Sequence, residues 1–268
     1  MLIDFHTHIF PDKIAAPALH TLVTDALRNT GNTVTPHTDG TLGGLKRAMK
    51  SAGVDISVVL PIATKPSQTD SINSFAQSIR GEEVESFATL HPEQDNWREV
   101  LTDIAERGFI GVKLHPEYQQ FYVDSKRSLE ILGYADKLGL YVTLHAGNDI
   151  GILPPVHCTP QRLRNALEYV SGERIIAAHL GAFCDWDNVE KYLVGTPVYF
   201  DTAFICDFIS PDQYKRIIRD HGADKILFGT DSPWDTAEKE YSFLNSLDID
   251  DEEKDKIFYA NALKILKR

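Results

Sequence analysis

The sequence is poor in the residues that staple, coat or anchor a protein. Its 268 residues include only 3 cysteines, Cys158, Cys184 and Cys206, an odd set without Cys-x-x-Cys spacing. That excludes a disulfide framework and a cysteine-built zinc site, and it fits a reducing compartment. Basic residues are outnumbered, with 27 Lys and Arg against 39 Asp and Glu and a formal charge of −12. A surface for nucleic-acid phosphates needs the opposite balance, so the acidic excess reads as simple solubility. No apolar run approaches the roughly 20 residues of a membrane span. The opening residues Met1-Leu2-Ile3-Asp4-Phe5 lack the basic and apolar regions of a secretory leader. The expectation is a cytoplasmic enzyme for a small-molecule substrate, with neither nucleic acid nor membrane as partner and with room for a homo-oligomer.

What the sequence does have is rhythm. Short apolar runs alternate with helical segments along the whole chain. The runs begin with Leu2–His8 and continue at 55–61, 85–92, 109–116, 140–145, 174–179, 198–201 and 225–231. Glycine follows several intervening helices, at Gly53, Gly108 and Gly139, as a C-terminal stop. Thr159-Pro160 has the look of a helix start. Strand–helix alternation implies a parallel sheet. Eight units in a chain near the ~250 residues usual for the fold imply a closed (β/α)8 TIM barrel as a single domain, 1–268. A doubly wound sheet is the runner-up, but it would scatter the strand ends along a crevice. Residues 9–41 read as a long excursion after the first strand, holding one helix and lying over the site.

The strand ends carry the chemistry. His6 and His8 stand one residue apart at the end of the first run, and alternate strand residues share a face. They are a ready pair of nitrogen ligands for one metal ion. Three later runs close on nearly the same words, Thr89-Leu90-His91, Lys113-Leu114-His115 and Thr143-Leu144-His145, while the sixth closes on His179 and the eighth on Asp231. In a barrel all strand C-termini meet at one mouth. Random placement of 10 histidines would not put most of them there. Lys113 and His115 alternate onto the barrel-facing side as candidate substrate contacts. Asn148, Asp149, His157, Asp201 and Trp234 lie just past strand ends and are further candidates. His91 reads as a packing residue, and His20, His37 and His221 as surface.

These stretches resemble the amidohydrolase superfamily of metal-dependent hydrolases, and within it the second amidohydrolase family, related to aminocarboxymuconate-semialdehyde decarboxylase. The likeness is carried by Ile3-Asp4-Phe5-His6-Thr7-His8, by Gly108 to Pro116, by Ala178-His179-Leu180-Gly181 and by Phe228-Gly229-Thr230-Asp231-Ser232-Pro233. It covers nearly the whole barrel and is weakest over 9–41 and 232–250. The resemblance implies that His6, His8, His145 and Asp231 hold a divalent metal, that Asp231 also handles the proton, and that His179 assists as a catalytic residue. Nitrogen-rich ligation favours zinc, with manganese as the alternative. Lys113, one layer below His115, is expected to be unmodified.

Two activities fit this set. The first is hydrolysis of an amide, ester or lactone of a small molecule by a metal-activated water. The alternative is non-oxidative decarboxylation of a small carboxylic acid. A decarboxylase wants a cation for the carboxylate, and Arg28 and Arg162 are the best-placed arginines. Their scarcity at the mouth, and His6 where some family decarboxylases carry Glu, lean the sequence reading to hydrolysis. A barrel kept only as a binding module would have no need of the complete ligand set.

Overall fold

The computed structural model describes residues 1–268. The first half of the chain supplies β1 (Ile3–Thr7), α1 (Asp12–Thr30), α2 (Leu42–Ala52), β2 (Ile56–Val59), α3 (Thr69–Ile79), β3 (Val84–Ser86), β4 (Ala88–Thr89), α4 (Trp97–Glu106), β5 (Gly111–Leu114), α5 (Pro116–Gln119) and α6 (Lys126–Lys137). The second half supplies β6 (Tyr141–Leu144), α7 (Pro160–Ala166), β7 (Ile175–Ala177), α8 (Trp186–Tyr192), β8 (Tyr199–Asp201), α9 (Pro211–His221), β9 (Ile226–Leu227), α10 (Ala237–Ser246), α11 (Asp251–Asp255) and α12 (Asn261–Leu266). Every strand pair is parallel, in two runs ordered β1-β2-β3 and β4 through β9. β3 and β4 are one barrel stave broken at Phe87, whose N–H still bonds Val59 O at 2.9 Å.

The barrel closes between its first and last staves. Phe5 N donates to Phe228 O at 2.8 Å, Asp231 N to His6 O at 2.8 Å, and His8 N to Ser232 O at 2.6 Å. The expected TIM barrel of eight staves is therefore the observed fold. Ile3, Phe5, Ile56, Val58, Phe87 and Leu227 pack in one buried cluster with Ala262 and Ile265 of α12. Phe5 meets Phe87 edge-on at 5.7 Å. The start of α7 follows its sequence signal, Thr159 Oγ1 capping Arg162 N before a proline, and Ser210 Oγ caps Gln213 N of α9 in the same way. No helix is long and apolar enough to cross a membrane.

β1 is not a regular strand. Asp4 pairs with Ser57 and Thr7 with Val59, so three steps of β1 oppose two of β2. Such a bulge re-aims side chains. A regular pleat would send Asp4 and His6 to the same side. Instead Asp4 faces a cavity beside Leu45 and Met49 of α2, while His6 faces the barrel mouth. The Asp4 carboxylate then joins the seam, its Oδ1 accepting from His6 N (3.2 Å) and Thr230 N (3.1 Å) and its Oδ2 from Thr230 Oγ1 (2.6 Å).

His221 corrects the surface expectation. It is buried at the end of α9, its ring stacked on Phe200 at 3.9 Å, with Nε2 donating to Val198 O at 2.9 Å. A polar tip on a flat apolar body lets this histidine serve the helix–barrel layer. His20 and His37 are exposed as expected.

Candidate metal centre and substrate cavity

The strand ends gather seven of the expected groups on the floor of one cavity. His6, His8, Lys113, His115, His145, His179 and Asp231 form its floor, and Asn148, Asp149 and Trp234 stand in its wall. The cavity holds about 190 Å³. His6 Nε2 and His8 Nε2 are 3.2 Å apart, and Asp231 Oδ1 lies 3.3 Å from the first and 3.0 Å from the second.

The tautomers follow from the outer partners. His6 Nδ1 contacts the buried Asp201 carboxylate at 2.9 Å, and His8 Nδ1 contacts Leu60 O at 2.8 Å. Both partners can only accept, so both Nδ1 atoms carry the proton. The two Nε2 atoms then face each other with bare lone pairs, beside a carboxylate oxygen. The one donor near these three acceptors is Lys113 Nζ, 3.2 Å from His6 Nε2, which leaves His8 Nε2 and Asp231 Oδ1 facing each other unserved. Such a convergence is repulsive unless a cation sits among them, and His, His and Asp are suitable ligands for one. His6, His8 and Asp231 thus fit a divalent ion. Across the floor the pattern recurs. His179 Nδ1 donates to Ala203 O (2.8 Å) and His145 Nε2 to Asn148 O (3.0 Å), which leaves His179 Nε2 and His145 Nδ1 facing at 3.1 Å. His145 therefore points a lone pair across the floor to His179 and stands apart from the trio of His6, His8 and Asp231.

A second cluster, His115, His145 and Asp149, also lies within metal-ligand range. Its chemistry is different. His115 Nδ1 caps α5 by accepting Tyr118 N at 3.3 Å, so its Nε2 bears the proton, as does that of His145. This cluster presents N–H groups to Asp149 and does not fit a metal in that form.

Charge on the floor is set by burial. Burial, then the nearby Lys113 ammonium, hold His6 well below the ordinary imidazole value; His115 and His145 are held down chiefly by burial as well. Neutral imidazoles are the ligating form. Burial pulls the Lys113 ammonium down to about 8, against the carboxylates of Asp201 and Asp231. Burial pushes the Asp231 carboxyl up, but positive charge taken up by the surrounding His6, His8 and His179 more than offsets it, so it is held below the usual carboxylate value. His179, Leu180 and Asp231 adopt left-handed backbone with φ of 60°, 55° and 63°. Such strain costs about 1–3 kcal/mol per residue and needs anchors. Asp201 supplies them, its Oδ1 accepting His179 N at 2.9 Å and its backbone O accepting Leu180 N at 2.6 Å.

The family model described as amidohydrolase matches residues 3–268. The chain belongs to the amidohydrolase family. Solved structures agree on the fold of the chain. It resembles 5-carboxyvanillate decarboxylase from Sphingomonas paucimobilis at 14% identity and a TM-score of 0.69, over 99% of this chain and 98% of that one. It resembles a dihydroxybenzoic acid decarboxylase from Polaromonas sp. JS666, with bound manganese and 2-nitroresorcinol, at 16% identity and a TM-score of 0.67, over 99% and 96%. A putative amidohydrolase from Staphylococcus aureus aligns at 18% identity and a TM-score of 0.70, over 100% and 99%. Comparison with curated proteins gives no match.

Some sequence candidates lie elsewhere in this member of the family. His157 is buried with its ring against Tyr122 (4.6 Å) and its backbone N–H on Glu117 Oε1 at 2.8 Å, and it does not line the cavity. Asp201 is fully buried beneath His6 and positions it instead of meeting substrate. Arg28 pairs with Asp25 in solvent and Arg162 with Asp124, so neither reaches the cavity. Lys113 is more central than its deeper layer suggested, with Nζ 3.2 Å from His6 Nε2. Sequence reasoning missed the wall residues Tyr118, Phe183 and Phe204, and Leu22 and Ala26 of α1. None has a periodic signal separating it from ordinary core.

Proposed function

We propose that this amidohydrolase-family protein is a metal-dependent, non-oxidative decarboxylase of a small aryl or conjugated carboxylic acid. The observation that carries the reading is Lys113. It is the only Lys or Arg lining the cavity, it adjoins the His6, His8 and Asp231 trio, and the walls above it are apolar and aromatic. A carboxylate is the group that suits an ammonium beside a cation site at the base of such a cavity. The family's solved decarboxylases support this choice over hydrolysis, the activity the sequence favoured.

The bound ion, zinc or manganese, would supply positive charge to fix the substrate and stabilise charge left on carbon as carbon dioxide departs. The protein does the rest. Lys113 Nζ holds one carboxylate oxygen. The C–C electron pair stays on the carbon, and a proton must replace the departing group there. Asp231 turns Oδ1 to both imidazoles, which leaves Oδ2 free; ionised at rest, it carries the proton only in transit to that carbon, with His179 on the same floor to supply it. Aromatic walls exclude water. The substrate is a small molecule, and the protein acts in the cytoplasm, alone or as a homo-oligomer.

The test is release of labelled carbon dioxide from carboxyl-13C benzoates and hydroxybenzoates by zinc- or manganese-loaded protein, run in D2O. Decarboxylation puts deuterium on the vacated carbon. The second reading, hydrolysis, is favoured by the His-x-His pair and the absent arginine. Turnover of lactones, amides or esters with no labelled carbon dioxide would establish it instead.

A further inference from the structure

Asp149 is a carboxylate on the cavity wall that no Lys or Arg pairs. Its side chain is only 10% exposed. Oδ1 accepts Gly151 N at 2.7 Å, which aims the group. Oδ2 is poorly served. The nearer imidazole N–H, on His115, is 3.4 Å away, and that of His145, at 3.9 Å, is already given to Asn148 O.

The loop carrying Asp149 is held from above. Near the end of α1, Thr30 Oγ1 donates to Ile150 O at 2.7 Å, and Asn29 Nδ2 to Gly151 O at 3.2 Å. Just beyond it, Asn32 Nδ2 donates to Ile150 O at 2.9 Å. A Cβ on Gly151 would stand 3.5 Å from Ala26, so helix and loop are in contact. The acceptor is thus fixed in advance on a largely apolar wall. An apolar ligand covering it would strip water from a charge and give nothing back. A ligand with an N–H or O–H there would replace that water without reorganisation. A second anion would be repelled.

We propose that Asp149 is the specificity-determining residue of the cavity, selecting a substrate that carries a neutral hydroxyl or amino donor on the part away from the metal centre. This deepens the decarboxylase reading, on which the chemistry of the substrate's other end rests. The substrate class is then a hydroxy- or amino-substituted acid with one carboxylate.

Calorimetric titration of the metal-loaded protein tests it with benzoate, the isomeric hydroxy- and aminobenzoates, the benzenedicarboxylates, and the matching benzamides. At least one donor-bearing benzoate binds at least about 10-fold more tightly than benzoate, the scale of one hydrogen bond to a charged group. Asp149→Leu brings that ratio to within about 2-fold, since the acceptor is gone while the branched shape is kept. Asp149→Asn, which retains an oxygen for Gly151 N, keeps part of the ratio and accepts a benzenedicarboxylate that the wild type refuses. Melting curves confirm that each variant folds. Equal binding of benzoate and all its derivatives, or a ratio untouched in Asp149→Leu, overturns the inference and leaves the decarboxylase reading standing. Binding of benzamides but of no benzoate, with the donor preference intact, removes that reading and keeps the selector role. Binding of neither series overturns both.

Discussion

The floor and the roof of the cavity are built by different rules. The floor is made of strand ends. Its imidazoles are almost closed to solvent, at 1% for His6 and 15% for His8, and His6, His8 and His179 are each oriented by an acceptor behind them. The roof is α1 and the loop that follows β6. These are joined by side chain-to-backbone hydrogen bonds, with Ile14, Leu27 and Leu153 left 51%, 56% and 61% exposed. The floor is over-determined by barrel register, because moving any one ligand means moving a stave. The roof is held by a few exposed bonds, each worth about 1 kcal/mol. Reaction chemistry and substrate choice are therefore separable in this protein, and each can be damaged alone.

The deepest break in the floor is Asp231→Asn. Shape survives and the proton carrier does not, so turnover falls at least about 100-fold with the fold intact, as judged by melting and steady-state kinetics. Near-normal turnover at saturating metal would move the proton role to His179. Lys113→Met comes next. It removes the ammonium that holds the carboxylate, so kcat/KM for acids drops by roughly 10- to 100-fold. Hydrolysis of neutral lactones or esters, where measurable, falls much less, and an equal loss on both would count against a carboxylate role.

The same contrast explains what could be read from the chain. Eight apolar runs closing on His6, His8, His115, His145, His179 and Asp231 announce both barrel and floor, because a strand end is a sequence position and a barrel brings strand ends together. The bulge in β1 was not legible, since Asp4, Phe5 and His6 read as plain alternation. Asp201 looked like a mouth residue because it ends β8, yet its side chain turns beneath His6. His221 looked like surface because it falls outside the strand ends, and only the stack on Phe200 shows otherwise. The roof was nearly silent. Leu22 and Ala26 meet the cavity through the placement of α1, which no local pattern encodes, and Asp149 is singled out only by the partners it lacks.

Smaller effects sharpen the contrast. Thr30→Val removes one latch from α1 to the Asp149 loop. It raises KM several-fold and leaves kcat nearly unchanged, with about 1 kcal/mol lost from stability. An equal fall in kcat would mean that roof and floor are coupled. His221 probes the scaffold away from both. Burial lowers its pKa to about 4, against an ordinary 6.5, with the Val198 carbonyl opposing. The unfolded chain then binds the extra proton first, so this stability is complete above pH 6.5 and is lost as pH falls toward 4. The shift is worth about 3 kcal/mol at most. His221→Gln therefore flattens the acid side of the melting profile between those limits, and an unchanged slope would mean that other groups dominate it.

The central claim is that facing lone pairs on His6 and His8, beside Asp231, are a divalent metal centre. Its most direct test is metal binding itself. Protein stripped with chelator is titrated with zinc and with manganese, and bound metal is counted by elemental analysis for the wild type, His8→Ala and His221→Gln. The account predicts tight uptake by the wild type and by His221→Gln, with uptake at the trio lost in a folded His8→Ala. A wild type that takes up neither metal, or a His8→Ala protein that binds as tightly and as much as the wild type, would contradict it.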